Sequence, residues 1–472
     1  MMHTELIQTS NTLGQVADTL RVIADTMIQE NVQEEVVNTV HSSSETGLII
    51  AILGLLVFSA HLFTGIFNRR RIPDVLFLML IGLFIGPIFH WVVPEDLGSI
   101  GTVFTGITLV LILFQSGMQL SFNTIVVSLR KTTWLLLLNY AFTTVALWLI
   151  GWLVFDYDPI VVVILGIILG GTASAVIGPM VENLRMTDGS RSILILEAAI
   201  GNVFSIVLSL ALMKGLQMGA FELGPVVGQI FSSFILSIIM GIIGAIFWAV
   251  ILDKVRSIKN TIMTTPAFVF IIYGLNEWMG YSGAIAALAF GLCLANIDSI
   301  YNSILKRFFT REPSQLNDIE KSLFSEITLL LKTFFFIYVG ISIQISDPKL
   351  ILIGLSITVL LYILRIFVVR LSISKRYNTT NLDKLYMALL NPKGLTAAVL
   401  ASAMSTVIPE GETIRNIVFY VIFFSIILTS ILVPLIEKNG FLAKVYMKLL
   451  GLKEEAEASE IADISDENDE NE

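Results

Sequence analysis

Long apolar segments recur along this chain, and they restrict what it can fold into more than any other feature. About thirteen of them lie between Gly47 and Pro434, each roughly 20 residues long, which is the length of α-helix that crosses ~30 Å of hydrocarbon. The chain is 55% hydrophobic and 14% charged, a composition too apolar for an ordinary soluble protein. The sequence therefore predicts an all-α polytopic membrane protein with about 13 transmembrane helices.

Lysine and arginine residues fall mainly on one side of the predicted spans. That side carries basic clusters such as those at 69–71, 254–259 and 444–448, whereas the other side carries acidic turns at 94–96 and 156–158. Loops rich in lysine and arginine stay on the cytoplasmic side of a membrane. The pattern predicts a multi-pass protein of the cell (plasma) membrane, with its N-terminus outside and its C-terminus cytoplasmic.

The two ends of the chain differ from its apolar middle. Residues 1–46 carry leucine or methionine at every seventh position from Leu6 to Met27, which predicts an extracytoplasmic amphipathic helix. This helix either packs on a partner protein or a second protomer as a coiled coil, or lies on the membrane surface. A transmembrane domain is expected over 47–437. A cytoplasmic tail follows over 438–472, first basic and suited to membrane lipids, then acidic and disordered.

Several classes of function find no support in the residues. Cys293 is the only cysteine, so no intrachain disulfide can form and a cysteine-based metal site is not expected. The sequence shows no glycine-rich phosphate loop, no cluster of metal ligands and no nucleophile–base pair. We therefore expect neither an enzyme nor a cofactor, and no nucleic-acid partner.

The fifth apolar span contains a run of small and hydroxyl residues. Its sequence from Gly170 is Gly-Gly-Thr-Ala-Ser, followed by Gly178 and Pro179. Small residues let helices approach closely, and proline frees a backbone carbonyl, so this span is expected to break at mid-membrane. Thr172 and Ser174 are then candidate cation ligands, since broken helices expose carbonyls and helix ends to ions. The alternative is a kinked, closely packed helix without an ion.

The sixth span contains two polar residues, Glu197 and Asn202. A carboxylate near the bilayer centre costs at least ~2.5 kcal/mol to insert, so it needs a partner, a cavity or an ion. The two side chains lie roughly 140° apart around a helix, yet both can border one cavity. Glu197 is a candidate for ion binding or for a structural ion pair. Asn202 is a candidate cation ligand or an interhelical hydrogen-bonding residue.

Two lysines are candidate partners for that carboxylate. Lys332 lies a third to halfway across the tenth span, beyond easy snorkelling distance, and Lys393 lies beside a proline and a glycine in the twelfth. By charge balance, Glu197 is expected to pair with Lys393 or Lys332. Arg365 and Arg370 are expected to snorkel to the cytoplasmic interface and to take no part in transport.

Seven segments carry a recognisable pattern in a characteristic order. They are IPDVLFLMLIGLFIGP (72–87), LVLILFQSGMQL (109–120), GGTASAVIGPMV (170–181), LEAAIGN (196–202), SGAIAALAFGLCLAN (282–296), LKTFFFIYVGISI (331–343) and NPKGLTAAVLAS (391–402). In this order and spacing the chain resembles the cation:proton antiporter superfamily, the membrane domain of sodium/proton exchangers, over nearly everything from Arg71 to Ile436.

The resemblance implies an inverted-repeat sodium/proton antiporter fold whose two broken helices cross at mid-membrane. It also implies a homodimer that exchanges Na⁺, K⁺ or Li⁺ for H⁺ by alternating access. The family's glutamate falls on Glu197, and the basic residue of its Pro-Arg-Gly-like motif falls on Lys393, so these two are expected to form a structural ion pair. Lys332 matches a basic position in the tenth helix of some members.

The most serious departure from the family pattern lies in the sixth span. The family's ion-binding aspartate falls on Asn202, which cannot titrate, whereas antiport is simplest when cation and proton compete for one carboxylate.

Two hypotheses follow from this departure. In the first, the protein is a Na⁺ or K⁺/proton antiporter with Thr172, Ser174 and Asn202 as neutral ligands. Lys332 or Glu197 then titrates, since desolvation favours the neutral form of either group. In the second, the fold no longer antiports and serves as a uniporter, a channel-like leak or a sensor in a larger assembly.

Overall fold

The computed structural model describes most of the chain between residues 73 and 452. The described residues are 54–55, 57–58, 62, 73–118, 122–151, 158–218, 223–257, 263–303, 305–307, 313–345, 347–373, 379–405, 407–438 and 440–452. Backbone contacts divide the chain into two compact units, Met1–His61 and Leu62–Glu472. The described residues of the first unit are helical, and all elements named below belong to the second. The predicted helix over 1–46 and the acidic end of the tail lie outside the described residues.

The described residues form helices and turns, with no β-strand among them. The helices are α1 (Asp74–Leu83), α2 (Pro94–Met118), α3 (Phe122–Ile150), α4 (Pro159–Gly170), α5 (Ser174–Glu182), α6 (Asp188–Met218), α7 (Leu223–Arg256), α8 (Thr264–Trp278), α9 (Gly283–Ala295), α10 (Ile297–Ser303), α11 (Asp318–Ile341), α12 (Pro348–Ser372), α13 (Asn381–Leu389), α14 (Leu395–Ser405), α15 (Gly411–Lys438) and α16 (Gly440–Leu450). A π-helical turn, Phe84–Ile88, extends α1, and a 3₁₀ turn occupies Leu305–Arg307. The all-α prediction is confirmed.

Many of these helices are apolar enough to cross a membrane. Seven described stretches are also long enough by themselves: Thr132–Ile150, Pro159–Glu182, Asp188–Met213, Ser232–Leu252, Asp318–Ile341, Pro348–Ser372 and Gly411–Glu437. Four shorter apolar stretches are Val75–Ile88, Gly106–Met118, Gly283–Ala295 and Leu395–Ser405. The multi-pass architecture follows from these stretches, and the total of about thirteen spans stays a prediction.

One group of helices packs around a continuous apolar cluster. It contains α2, α7, α8, α9 and α11, and the rings of Phe114, Phe290 and Phe324 lie at its centre. The backbones of α2 and α9 approach so closely that a Cβ at Gly291 would lie 2.1 Å from the Phe114 carbonyl oxygen. Glycine at this contact lets two apolar helices pack backbone to backbone. We call these five helices the scaffold group.

A second group of helices is held together by polar contacts as well as by apolar ones. It contains α3–α6 and α12–α15; α3 packs on α4, α6 and α12, while α15 packs on α12 and α14. Two pairs in this group, α4 with α5 and α13 with α14, are halves of interrupted helices. We call it the core group, and among the candidate site residues only Lys332 lies outside it.

A buried carboxylate joins two helix starts in the core group. Asp383, which is fully buried, accepts from the Thr187 and Thr380 backbone N–H groups at 3.0 and 3.1 Å. It also accepts from the hydroxyls of Thr187 and Ser190 at 2.7 and 2.9 Å. The charge therefore lies where the N-terminal ends of α6 and α13 both offer unpaired N–H groups, which favours an anion.

Candidate functional site

The first interrupted helix breaks at Gly171–Ala173. Helix α4 ends at Gly170, Gly171 adopts an extended conformation, and α5 begins at Ser174. A break strands carbonyls that the helix would otherwise satisfy, and the Asn139 side chain donates to the Gly170 carbonyl oxygen at 2.6 Å. The predicted break is confirmed, and it lies at Gly171–Ala173, whereas Pro179 lies inside α5.

The second interrupted helix breaks at residues 390–394, between α13 and α14. The two breaks meet directly, because the Ala173 backbone N–H donates to the Pro392 carbonyl oxygen at 2.8 Å. A Cβ at Gly394 would lie 2.6 Å from the Ala173 Cβ, so only glycine allows this approach. Each break thus supplies a partner for a backbone group that the other leaves unsatisfied.

Lys393 lies at this crossing and is fully buried. Its ammonium donates to the Gly171 carbonyl oxygen at 2.9 Å and to Asn391 Oδ1 at 2.8 Å. The carbonyl end of a helix carries partial negative charge, so a cation here stabilises the C-terminal end of α4. Its backbone N–H is fixed by Ser425 Oγ at 2.9 Å.

Glu197 is paired with Arg365, not with Lys393, and the predicted Glu197–Lys393 ion pair is corrected accordingly. The two terminal nitrogens of the guanidinium donate to the two carboxylate oxygens, one of them, Nη2 to Oε2, at 2.7 Å. Arg365 Nε donates to the Met387 carbonyl oxygen at 3.0 Å. The planar fork of arginine matches a carboxylate in this bidentate way, whereas a lysine ammonium does not.

The expectation that Arg365 snorkels is also wrong. Its exposed fraction is 0%, and that of Glu197 is 3%. Arg365 lies seven residues before the end of α12, roughly 10 Å along the helix axis, and faces α13 instead of the lipid. When Lys393 and Arg365 are both available to one carboxylate, the arginine is favoured, because only the guanidinium can bind it bidentately.

Two of the predicted cation ligands are in direct contact. Asn202 Nδ2 donates to Ser174 Oγ at 2.9 Å, which links α6 to the first turn of α5. Both Asn202 and Thr172 are buried, and Thr172 lies within the break itself. When the carboxamide nitrogen donates, its oxygen can still accept or bind a cation. Hydroxyl, carboxamide and backbone oxygens therefore lie close to the break, and all of them are neutral.

A hydrogen-bonded group next to Asn202 was not predicted from the sequence. The Tyr140 hydroxyl lies 2.6 Å from the Gly201 carbonyl oxygen and 2.6 Å from Ser205 Oγ. Ser205 Oγ in turn donates to the Ile167 carbonyl oxygen at 3.0 Å. These contacts connect α3, α4 and α6 around the break and fix the position of the Asn202 backbone.

Lys332 lies apart from this group of residues. It is half-buried on α11, a scaffold helix that packs mainly on α1 and α2 and also touches α14. The structure therefore joins Ser174 with Asn202 and Glu197 with Arg365 in the core group, and places Lys332 on a helix that meets the core group through α14.

Comparison with known proteins gives consistent results. A family model described as sodium/hydrogen exchanger, transmembrane, matches residues 54–438. The "Probable Na(+)/H(+) antiporter 2" of Methanocaldococcus jannaschii is 22% identical over 385 residues, which cover 78% of this chain and 87% of that protein.

Solved structures share the fold. A structure of the sodium proton antiporter MjNhaP1 from M. jannaschii at pH 8 has a TM-score of 0.65 at 19% identity, covering 85% of this chain and 98% of that one. An electron-microscopy structure of the same antiporter has a TM-score of 0.62 at 19% identity, covering 87% and 99%. The two interrupted, crossing helices thus belong to an antiporter fold.

Proposed function

This chain belongs to the sodium/hydrogen exchanger family of membrane transporters, and we propose that it exchanges Na⁺ or K⁺ for protons by alternating access. The observation that supports this most is the crossing of the two breaks. Ala173 donates to Pro392 across it, and Lys393 covers the carbonyl end of α4. Midplane breaks of this kind place carbonyls and helix ends beside a transported ion.

We propose Thr172, Ser174 and Asn202 as the cation ligands. Their oxygens are neutral, and the Ser174–Asn202 hydrogen bond of 2.9 Å holds two of them together across α5 and α6. A monovalent cation between them would replace that hydrogen bond with two oxygen contacts. Because the ligands carry no charge, the site binds a cation without needing to lose a proton from a carboxylate.

Coupling then requires a group that titrates elsewhere, and we propose Lys332. Both oxygens of Glu197 are engaged by Arg365, so Glu197 has a structural role in this proposal. Lys332 lies on a scaffold helix that touches α14, and movement of the core group past it would change its surroundings. In this proposal that movement brings Lys332 towards the bound cation, where like-charge repulsion would favour release of a proton and couple the two fluxes.

The test uses the full chain in proteoliposomes with a pH-sensitive dye inside. An imposed Na⁺ or K⁺ gradient is expected to drive proton movement, and Ser174→Ala is expected to raise the cation concentration needed for half-maximal exchange. Ser209→Ala is the matched control, because that buried hydroxyl on α6 makes no hydrogen bond in the described structure. Proton movement that does not respond to any monovalent cation gradient would contradict the proposal.

A second candidate function is favoured by Asn202 itself. A carboxamide at the ligand position suits a uniporter, a channel-like leak or a sensor, since it binds cations without exchanging protons. Under this alternative the wild type carries no cation-coupled protons, while Asn202→Asp gains coupled exchange. Asn183→Asp adds the same charge at an exposed position of the same group and serves as control. Equal coupling in wild type and Asn202→Asp would exclude this alternative.

We also propose a homodimer in the cell membrane, with the C-terminus in the cytoplasm. The family resemblance supports the dimer, and the distribution of lysine and arginine supports the orientation. We further propose that residues 1–46 bind a partner protein. Chemical cross-linking in native membranes, with protease access from each side, tests assembly and orientation together.

A further inference from the structure

The last helix of the described chain, α16, is docked firmly on the core group. It packs on α12, α13 and α15, with Ala443 and Leu450 buried in that contact. Arg370 Nη1 donates to the Leu449 carbonyl oxygen at 3.3 Å. The helix ends at Leu450, and the next residue, Gly451, has a φ of 73°. The Leu452 backbone N–H donates to the Met447 carbonyl oxygen at 3.0 Å. This closure is the glycine-terminated helix end in which left-handed backbone satisfies the final carbonyls.

The opposite face of α16 divides into an apolar edge and a basic edge. Phe441, Val445 and Leu449 are 75%, 41% and 49% exposed. At 100° per residue these three positions follow one another along one stripe. Lys444 and Lys448 are exposed on the adjoining side of the same face. An exposed apolar stripe flanked by lysines is the pattern of a helix lying in a membrane interface.

The position of α16 along the chain places the start of this helix close to a bilayer surface. Helix α15 includes the apolar stretch Gly411–Glu437, which is long enough to cross a membrane. Only Asn439 separates α15 from α16, so α16 begins within a few ångströms of the point where the span leaves the hydrocarbon. The exposed apolar edge of a helix at that position is within reach of lipid.

We propose that α16 binds anionic phospholipid, with Phe441, Val445 and Leu449 in the headgroup–acyl boundary and Lys444 and Lys448 on the lipid phosphates. Each lysine near an anionic surface strengthens binding by roughly fivefold. Because α16 is fastened to α12 by the Arg370–Leu449 contact and packs on α13 and α15, bound lipid holds the ends of three core helices together. The transport rate therefore depends on the fraction of anionic lipid.

The depth of the apolar edge can be measured in the full chain. Cys293 is the only cysteine and is buried, so Val445→Cys in a Cys293→Ala background takes a single nitroxide label. In nanodiscs of phosphatidylcholine with phosphatidylglycerol, we expect the label to be relaxed by oxygen and shielded from a water-soluble nickel chelate. A label that the nickel chelate reaches as readily as in an exposed loop would overturn the proposal.

The basic edge is tested by lipid preference. Spin-labelled phosphatidylglycerol is expected to associate with the wild type more strongly than spin-labelled phosphatidylcholine, and the preference should fall by roughly tenfold or more in Lys444→Gln/Lys448→Gln. Lys306→Gln/Lys321→Gln removes the same charge from exposed positions and should keep the preference. An unchanged preference in the first variant contradicts the proposal. So does full displacement of the lipid by glycerol phosphate in solution, which would identify a soluble phosphate as the ligand.

Discussion

Glu197 and Arg365 form a bidentate ion pair that is almost completely removed from solvent. The residues lie 168 positions apart in the chain, and their side chains are 3% and 0% exposed. The pair joins α6 to α12, and Arg365 Nε adds a contact to the end of α13 through the Met387 carbonyl. One charged contact thus fixes three helices of the core group around the site.

Removal of Arg365 should strongly destabilise the core group. Arg365→Met leaves Glu197 charged, buried and without its partner, and the breaking of a buried pair costs about 3–5 kcal/mol. The expected result is a large fall in the thermal unfolding temperature in detergent. Lys349→Ala, at an exposed position in the first turn of the same helix, is the control and should unfold like wild type.

The double variant Glu197→Gln/Arg365→Met separates loss of the pair from loss of packing. A neutral amide costs much less to bury than a lone carboxylate, so part of the stability should return. If Arg365→Met alone unfolds no earlier than Lys349→Ala, the pair does not hold these helices together.

Gly394→Ala should disturb the crossing of the two breaks. The added Cβ would lie 2.6 Å from the Ala173 Cβ, so the breaks must separate, at a cost of about 1–3 kcal/mol. We expect slower exchange together with a lower unfolding temperature. Gly178→Ala in α5 meets nothing within 4 Å and should leave both unchanged. Normal exchange by Gly394→Ala would show that the close contact is not needed.

Lys332→Gln should uncouple cation movement from proton movement. The variant keeps length and polarity but cannot exchange a proton, so a cation gradient should no longer acidify or alkalinise the vesicle interior. Dye-reported pH and ²²Na⁺ uptake are measured on the same vesicles. Lys321→Gln, an exposed position on the same helix, is the control. Coupling that survives Lys332→Gln would assign the proton-carrying role to another residue.

Asp383→Ala should loosen the joined starts of α6 and α13. The substitution removes the acceptor for two backbone N–H groups and two hydroxyls, and buried donors left unpaired cost roughly 1–3 kcal/mol each. A fall in unfolding temperature is expected by differential scanning fluorimetry. Asp188→Ala changes a carboxylate that is 97% exposed in its ion pair, where little loss is expected. Equal effects of the two variants would refute the capping role of Asp383.

The sequence alone predicted the features that depend on local composition. Apolar runs of span length and the small residues from Gly170 locate helices and the first break, because hydrophobicity and helix interruption are properties of neighbouring residues. The second break was implied only by the family resemblance. The same residues carried the resemblance to the family. Ser174 and Asn202 were likewise recognised as polar groups that need a partner.

Only the tertiary structure decided which of these groups meet. Charge balance offered Lys393 or Lys332 for Glu197, and Arg365 was set aside because it lies toward a helix end. In the folded chain Arg365 on α12 faces α6 and α13 and donates to Glu197, while Lys393 donates to the Gly171 carbonyl oxygen. Burial and ion pairing depend on which helix faces pack together, and the partners lie far apart in the sequence. A hydropathy profile locates the helices but does not show which face of one helix meets which face of another.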